Sequence, residues 1–365
     1  MRPRELLQAW DSADELLLVE LSRADLIGKR IAIINDHFGA LTLSLNSFDV
    51  TSYTDSFVSA KALACNRDLN QAVEDQGGST TGRDLNANSL IHDLDQWSGV
   101  YDFVVIQLPK SNSFLEEILS SLTPHLRSSS KIICGGMIKY ISKTSFELLE
   151  KYIGPTTTNL AQKKARLIFA SFEKGPAALP EKVTLSVPPF DQPLVNASNL
   201  FSHGKLDIGT RFFLEHIPSG NFETILDLGC ANGIIGMMAK RINPQAKLIF
   251  CDESYQAVQS ARLNYEGAYS DEAQFVCTNC YENGISDSLD LVLCNPPFHQ
   301  HNTVGDFIAL QMFHDSFRTL KKGGVLRVIG NSHLGYALTL KRIFGNSTMV
   351  ASNQKFVIFD AVKLF

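Results

Sequence analysis

The stretch ETILDLGCANGIIGMMAKRINP at 223–244 decides the fold. Its first half is a short apolar run ending in glycine, which suits a buried parallel strand. Apolar residues at helical spacing follow (Ile234, Ile235, Met238), predicting a helix over 232–241 that stops before Pro244. Gly229, Ala231 and Gly233 stand where strand turns into helix. Small residues there let the backbone approach a ligand closely, and the helix N-terminus offers free N–H groups. A nicotinamide fingerprint needs G-x-G-x-x-G. The third position here is Ile234, which disfavours an NAD oxidoreductase.

Outward from this stretch, strand and helix alternate. KLIFCDES reads as a second strand and 255–265 as a second helix; SLDLVLCNPPF runs from strand into loop. A helix over 307–320, a KKGG turn, the strand GVLRVIG and a last strand KFVIFDAVKLF complete the half. This alternation predicts a doubly wound α/β sheet. The first half repeats the pattern with GKRIAIIND, FDVTSYTDS and YDFVVIQLPKS. Ser56 precedes Asn66 by ten residues, as Ser254 precedes Asn264, and Asp102 precedes Pro109 by seven, as Asp290 precedes Pro297. We read these as duplication of one Rossmann-like α/β domain, with domains at 1–176 and 177–365. The join is expected within 167–200, around the Gly/Pro-rich EKGPAALPE.

Composition agrees with two domains. The chain has 365 residues, 44% hydrophobic and 19% charged, ample for buried cores and unlike a disordered or coiled-coil protein. No apolar run approaches the ~18–20 residues that span a bilayer. Acids interrupt the apolar N-terminal stretch, unlike a signal peptide. Seven cysteines, an odd number, suit reduced thiols, and the expected location is the cytoplasm. The net charge of −5 excludes coating of nucleic acid by bulk electrostatics. Basic residues are nevertheless concentrated: 131–174 holds eight Lys/Arg against three acids, and 318–342 holds six and none. Such runs are often solvated faces, yet they also suit phosphate contacts at chosen places. Cys277-Thr-Asn-Cys280 is a lone CxxC without a partner pair, so no metal site is expected. GGSTTGR at 77–83 lacks the GK[ST] ending of a phosphate loop and reads as a linker.

The series Asp227-Leu-Gly229-Cys-Ala231-Asn-Gly233 resembles motif I of S-adenosylmethionine-dependent methyltransferases, which implies S-adenosyl-L-methionine as cofactor. Ala231 departs from the commoner glycine, and its methyl group would crowd the cofactor. Asp252, ending the second strand, is placed for the ribose hydroxyls, since a carboxylate accepts two hydrogen bonds from a diol. The segment from Phe201 through Asp207 resembles the family's pre-motif segment, which closes over the methionine end. Asn279 lies where such enzymes touch the adenine. Asn295-Pro296-Pro297-Phe298 carries the chemistry. An amine conjugated to a base is a poor nucleophile until acceptors hold its N–H bonds and turn the lone pair toward the methyl group. The Asn295 side-chain oxygen and the Pro296 carbonyl supply such acceptors, Pro297 stiffens the loop, and Phe298 offers a stacking face worth ~1–3 kcal/mol.

NPPFHQ, the Leu-Lys-Lys-Gly-Gly turn, Gly-Asn-Ser-His and Arg342-Ile-Phe-Gly-Asn346, with Asn35-Asp36-His-Phe-Gly39 and Gly154-Pro-Thr-Thr-Thr158 in the first half, are similar to the bacterial ribosomal RNA guanine-N(2) methyltransferases. The resemblance covers nearly the whole chain. It is greatest to the large-subunit enzymes, which modify guanine 1835 of 23S rRNA, and less to the small-subunit sister acting on guanine 1207 of 16S rRNA. It implies two methyltransferase-like domains, only the second catalytic. The first half agrees: its motif I position lacks the glycine series, and its NPPF position reads Gln107-Leu-Pro-Lys110. A half that lost both functions suits RNA binding, with Lys110, Lys139, Lys163, Lys164 and Arg166 as candidate contacts; His299, next to the NPPF segment, is a further RNA candidate that lines the substrate pocket or touches a phosphate. The expected partner is 23S rRNA, free or partly assembled, with no membrane and no obligate protein partner. Four alternatives stay open: guanine 1207 of 16S rRNA, an adenine amine, a protein glutamine amide, or an inactive RNA-binding assembly factor.

Overall fold

In the computed structural model the described residues are 8–77, 89–200, 204–297 and 303–365. The chain folds as two compact units, Met1–Glu181 and Lys182–Phe365. The first holds strands β1 (Arg30–Ile34), β2 (Asp49–Tyr53), β3 (Ser89–Ile91), β4 (Phe103–Gln107), β5 (Lys131–Met137), β6 (Thr156–Thr158) and β7 (Ala165–Ser171). Its helices are α1 (Ser12–Leu21), α2 (Ala40–Ser44), α3 (Phe57–Gly77), α4 (Asn112–Leu122) and α5 (Lys143–Tyr152). The second opens with a short hairpin, β8 (Thr184–Leu185) and β9 (Leu194–Val195). It continues with β10 (Thr224–Leu228), β11 (Lys247–Asp252), β12 (Gln274–Cys277), β13 (Leu289–Cys294), β14 (Leu320–Asn331), β15 (Thr348–Ser352) and β16 (Phe356–Val362). Its helices are α6 (Ile208–Leu214), α7 (Ile234–Ile242), α8 (Tyr255–Ala268), α9 (Thr303–Thr319) and α10 (Tyr336–Phe344).

Among the described residues each unit builds one seven-stranded sheet. The orders are β3-β2-β1-β4-β5-β7-β6 and β12-β11-β10-β13-β14-β16-β15, the same order when the strands of each sheet are counted from its first, β1 or β10. The first five strands are parallel, and the last pair of each sheet joins antiparallel. Burial on both faces follows from the crossover helices. Ala32, Ile34, Val104 and Ile106 pack on one side of the first sheet, and Ile31, Ile33, Phe103 and Val105 on the other. In the second sheet Ile225, Leu291 and Leu293 face one way, and Leu226, Leu228, Val292 and Cys294 the other.

The spacings repeated in sequence are repeated hydrogen bonds. The Asp102 carboxylate accepts the Arg30 N–H that opens β1 at 3.0 Å, and Asp290 accepts the Thr224 N–H that opens β10 at 2.8 Å. The Asn66 amide donates to the Phe38 carbonyl at 2.8 Å, and Asn264 to Asn232 at 2.9 Å. The first pair of bonds pins the fourth strand to the start of the first, and the second pins a helix to the loop leaving it.

Several elements differ from expectation. The KKGG segment is no separate turn: it lies inside β14, with a left-handed Gly323 (φ +85°) and a register irregularity against β13. Strand β5 and the short edge strands β6 and β15 were not read from sequence. The GGSTTGR linker falls almost wholly outside the described residues. No helix among them is long and apolar enough to cross a membrane.

One local feature carries stored strain. Lys163 (φ +48°) and Lys164 (φ +65°) occupy the two central positions of the tight turn leading into β7, closed by reciprocal Gln162–Ala165 backbone bonds. Two consecutive left-handed residues in such a turn favour Asn-Gly, not lysine. Replacing Lys163-Lys164 by Asn-Gly is therefore expected to stabilise the protein by about 1 kcal/mol, net of the exposed Lys163–Glu15 ion pair. Denaturant titration checks this, with a higher midpoint as the expected outcome.

Candidate active site

The site lies at the C-terminal edge of the second sheet. Where β10 ends, the Gly229 and Cys230 N–H groups both donate to the Cys251 carbonyl at 2.9 Å, folding the loop back over β11. Gly229 (φ +75°), Ala231 (φ +48°) and Gly233 (φ +81°) are all left-handed. At Gly233 a Cβ would meet Ala261 Cα at 3.0 Å, so glycine is required by backbone conformation and by α8 together. Ala231 takes the same hand with a side chain attached.

Asp227 is buried beneath this loop. Its Oδ2 accepts the Gly236 N–H of α7 at 2.8 Å, while Oδ1 is buried without a partner. Burial, opposed by the Gly236 bond and reinforced by the nearby Asp252 charge, pushes its carboxyl up to about 7. Asp252, partly exposed at the end of β11, is also raised by desolvation; its two oxygens accept Ala231 N–H at 3.0 Å and Ser254 N–H at 3.1 Å. Each oxygen keeps a lone pair for a further donor. Thr278 N–H donates to the Asp252 carbonyl at 2.9 Å, which places the half-buried Asn279 in the adjoining loop.

Asn295 follows β13 directly. Its Nδ2 donates to Thr210 Oγ1 at 3.1 Å, and its Oδ1 is buried with no partner. Thr210 is held in turn by Asp207, which caps α6: Asp207 Oδ2 accepts Thr210 N–H at 2.9 Å and lies 3.4 Å from its hydroxyl. Asp207 thus acts through Thr210 on Asn295, a link the sequence reading missed because the residues are 85 positions apart. Pro296 is buried and Pro297 exposed. Phe298, His299 and Phe201 lie outside the described residues.

The orphaned Asp227 and Asn295 oxygens, beside a loop with little room for side chains, fit a polar ligand that S-adenosyl-L-methionine would provide. A buried acceptor left unpaired costs about 1–3 kcal/mol, and a bound donor removes that cost.

The first unit shows the same frame with the chemistry removed. Strand register matches Ile33 to Asp227, Asn35 (φ +61°) to Gly229, Gly39 (φ +84°) to Gly233, Thr54 to Asp252 and Gln107 to Asn295. The Gln107 amide donates to the Asp14 carboxylate, as Asn295 does to Thr210, and Asp14 stands three residues past the Asp11 cap of α1, as Thr210 does past Asp207. Asp36 fills its own loop by accepting Gly39 N–H at 3.1 Å and Thr42 N–H at 2.7 Å. This copy satisfies itself.

Of the basic candidates, Lys110 and Lys139 share the Tyr140 ring, with Nζ 5.2 and 4.6 Å from its centroid. Lys163 is paired with Glu15 at 2.6 Å, Lys164 is exposed, and Arg166 is half-buried with an unpartnered Nε. Cys277 and Cys280 are half-buried, their thiols directed at the Glu253 and Ile308 carbonyls.

A family model described as the RLMG N-terminal domain matches residues 1–174, and one described as the methyltransferase small domain matches 191–360. The "Ribosomal RNA large subunit methyltransferase G" of Erwinia tasmaniensis is 43% identical over 100% of this chain and 95% of its own length. The protein of that name from Aliivibrio fischeri is 43% identical over 99% and 94%. The chain belongs to the ribosomal RNA large subunit methyltransferase G family. Among solved structures, the T. thermophilus 16S rRNA N2 G1207 methyltransferase (RsmC), in complex with AdoMet and guanosine, matches with a TM-score of 0.79. That match covers 97% of this chain and 92% of the other at 19% identity, so this chain shares its fold.

The Asp227 carboxyl gives a pH test. Its folded pKa, about 7, exceeds the ordinary carboxylate value, so the folded state binds the proton more tightly. Stability from this group is present at low pH and lost as pH rises through 7. Asp227→Asn in the ligand-free protein should therefore be more stable than wild type at pH 8, with the advantage gone by pH 4, as read by denaturation at each pH.

Proposed function

We propose that this enzyme transfers a methyl group from S-adenosyl-L-methionine to the exocyclic amine of a guanine in 23S rRNA, guanine 1835 by the sequence resemblance. It is an S-adenosyl-L-methionine-dependent ribosomal RNA methyltransferase. The observation that carries the finer reading is the buried, unpartnered Asn295 Oδ1.

Bound S-adenosyl-L-methionine supplies an electrophilic methyl on a sulfonium that departs as a neutral thioether. The Gly229–Gly233 turn and Asp227 would hold it from the backbone side, Asp252 would accept from its ribose hydroxyls, Asn279 would adjoin its adenine, and the segment of Phe201 and Asp207 is the one expected at its methionine end. Asn295 Oδ1 and the Pro296 carbonyl each accept one N–H of the guanine amine. With both N–H bonds held, the nitrogen lone pair is drawn out of conjugation and aimed at the methyl carbon. Pro297 keeps the carbonyl fixed; by the sequence resemblance Phe298 is the residue expected to stack on the base, and His299 the one expected to meet base or phosphate. No base need act first, because the methylated nitrogen is acidic enough to release its proton to water. Orientation supplies most of the rate. A paired guanine hides this amine, so the target is flipped or unpaired. The first unit, with its cofactor and acceptor positions self-satisfied, serves to hold the RNA.

The test uses labelled S-adenosyl-L-methionine with protein-free large- and small-subunit rRNA from cells lacking the enzyme, followed by nucleoside digestion. Label is expected in large-subunit rRNA as N(2)-methylguanosine; label in small-subunit rRNA alone overturns the target. Asn295→Ala should lower single-turnover transfer by at least about 100-fold while still binding the cofactor. Thr210→Val, which removes the acceptor for the Asn295 amide, should lower kcat about tenfold or more with the KM for cofactor unchanged. Equal loss in both constants would contradict a positioning role.

A further inference from the structure

The first unit's frozen copy of the active site has an outer surface that its own residues do not satisfy. Strand β4 leaves the sheet as Gln107-Leu108-Pro109-Lys110, and Lys110 stands three residues past Gln107, as Phe298 stands three past Asn295. The position of the stacking ring in one unit is thus a cation in the other. An exposed aromatic is supplied from the neighbouring strand: Leu108 N–H donates to the Gly135 carbonyl at 2.9 Å, and β5 runs out into Ile138, Lys139 and Tyr140, with Ile138 42% and Tyr140 36% exposed. Lys110 and Lys139 both lie about 5 Å from the Tyr140 ring centroid, so their ammonium groups stand within about 10 Å of each other, inside a Debye length at moderate salt. Among the described residues neither forms an ion pair with a carboxylate. The strained turn at 163–164 joins the same edge, because the Lys164 carbonyl accepts Ile138 N–H at 2.9 Å. Lys163 is neutralised there by Glu15, and Lys164 is exposed with no carboxylate partner among the described residues.

Two like charges gathered on one ring repel, and left-handed lysines cost backbone energy. An anion of the size and charge of a phosphate, placed among them, relieves the first cost and gives a use for the second. The aromatic holds the ammonium groups with a weak attraction, ~0.5–1 kcal/mol at an exposed site; Lys139 also donates to the Tyr140 hydroxyl, and further N–H donors remain on both ammonium groups for an anion. Held side chains also lose less freedom on binding. We propose that Lys110 and Lys139, gathered on Tyr140 at the exit of β4 and β5, form with Lys164 of the adjoining turn a seat for a phosphodiester of the RNA strand. The abolished acceptor site has become a backbone-gripping site. This rests on the RNA reading above and narrows it, since Lys163 and Arg166 fall outside the seat.

The test measures equilibrium binding of the full chain to protein-free 23S rRNA over a range of KCl. Each lost phosphate contact lowers the slope of log affinity against log salt by about 0.7–0.9. The Lys110→Ala, Lys139→Ala, Lys164→Ala triple variant should lower the slope by about 0.7–0.9, the loss of one phosphate contact, and the affinity at least tenfold. Lys131→Ala is the control: Lys131 sits over the Phe103 ring at 5.8 Å, but at the opposite end of β5, and its loss should leave the slope unchanged. A triple variant with the slope of Lys131→Ala overturns the proposal and makes the cluster a solvated face or a protein contact. The Asn-Gly replacement of Lys163-Lys164 should bind RNA more weakly while being the more stable protein, which separates contact loss from misfolding; unchanged binding removes Lys164 from the seat. Tyr140→Phe should bind as wild type and Tyr140→Ala several-fold more weakly. Equal binding by both contradicts the ring's part. If the wild type shows the steep, lysine-dependent slope yet transfers no methyl to rRNA, the seat stands and the proposed reaction falls; transfer with an unaltered slope in the triple variant gives the reverse.

Discussion

One hydrogen bond organises the site: the Asn295 amide donating to Thr210 Oγ1. It fixes which end of a symmetric-looking side chain faces the open edge of the sheet, and so leaves a buried oxygen in need of a donor. The bond requires Thr210 to be held with its hydroxyl oxygen free to accept, which the Asp207 cap accomplishes from the first turn of α6. It also requires β13 to end at Cys294, which the parallel register with β10 sets. The cofactor loop is fixed by the same strand, through Asp227 and the Gly229 turn. The proposed methyl-donor and acceptor sites thus stand at the C-terminal ends of two adjacent parallel strands, β10 and β13.

Comparison of the two units shows how such a site is lost without losing the fold. The opening bonds of Asp102 and Asp290, and the helix-to-loop bonds of Asn66 and Asn264, are the same in both. The changes fall where they cost the fold little. Isoleucine replaces the buried Asp227, removing a carboxylate that burial disfavours. Threonine replaces Asp252, and the longer Gln107 reaches a carboxylate on α1. What had been open acceptors became internal bonds.

Much of this was legible in the sequence. The glycine series and the NPPF segment report their own geometry, because left-handed turns and a stiff carbonyl need particular residues at adjacent positions. The duplication was visible through Ser56, Asn66, Asp102 and Pro109, whose spacings are set by one helix or one strand. The Thr210 link was hidden, since it joins distant residues of ordinary type. Strand β6, with the sequence Thr-Thr-Thr, has no apolar alternation to betray it, and the two glycines of KKGG imitate a turn inside β14. Nor does sequence tell that Lys163 is neutralised by Glu15 while Lys110 and Lys139 meet on Tyr140.

The central claim is that Asn295 Oδ1 receives an N–H of the guanine 2-amino group. It is tested most directly with an rRNA fragment carrying inosine, which lacks only that amine, at the methylated position. The account predicts RNA binding close to that of the guanine fragment and no methyl transfer. Transfer to the inosine fragment at a comparable rate would place the reacting atom elsewhere on the base and contradict it.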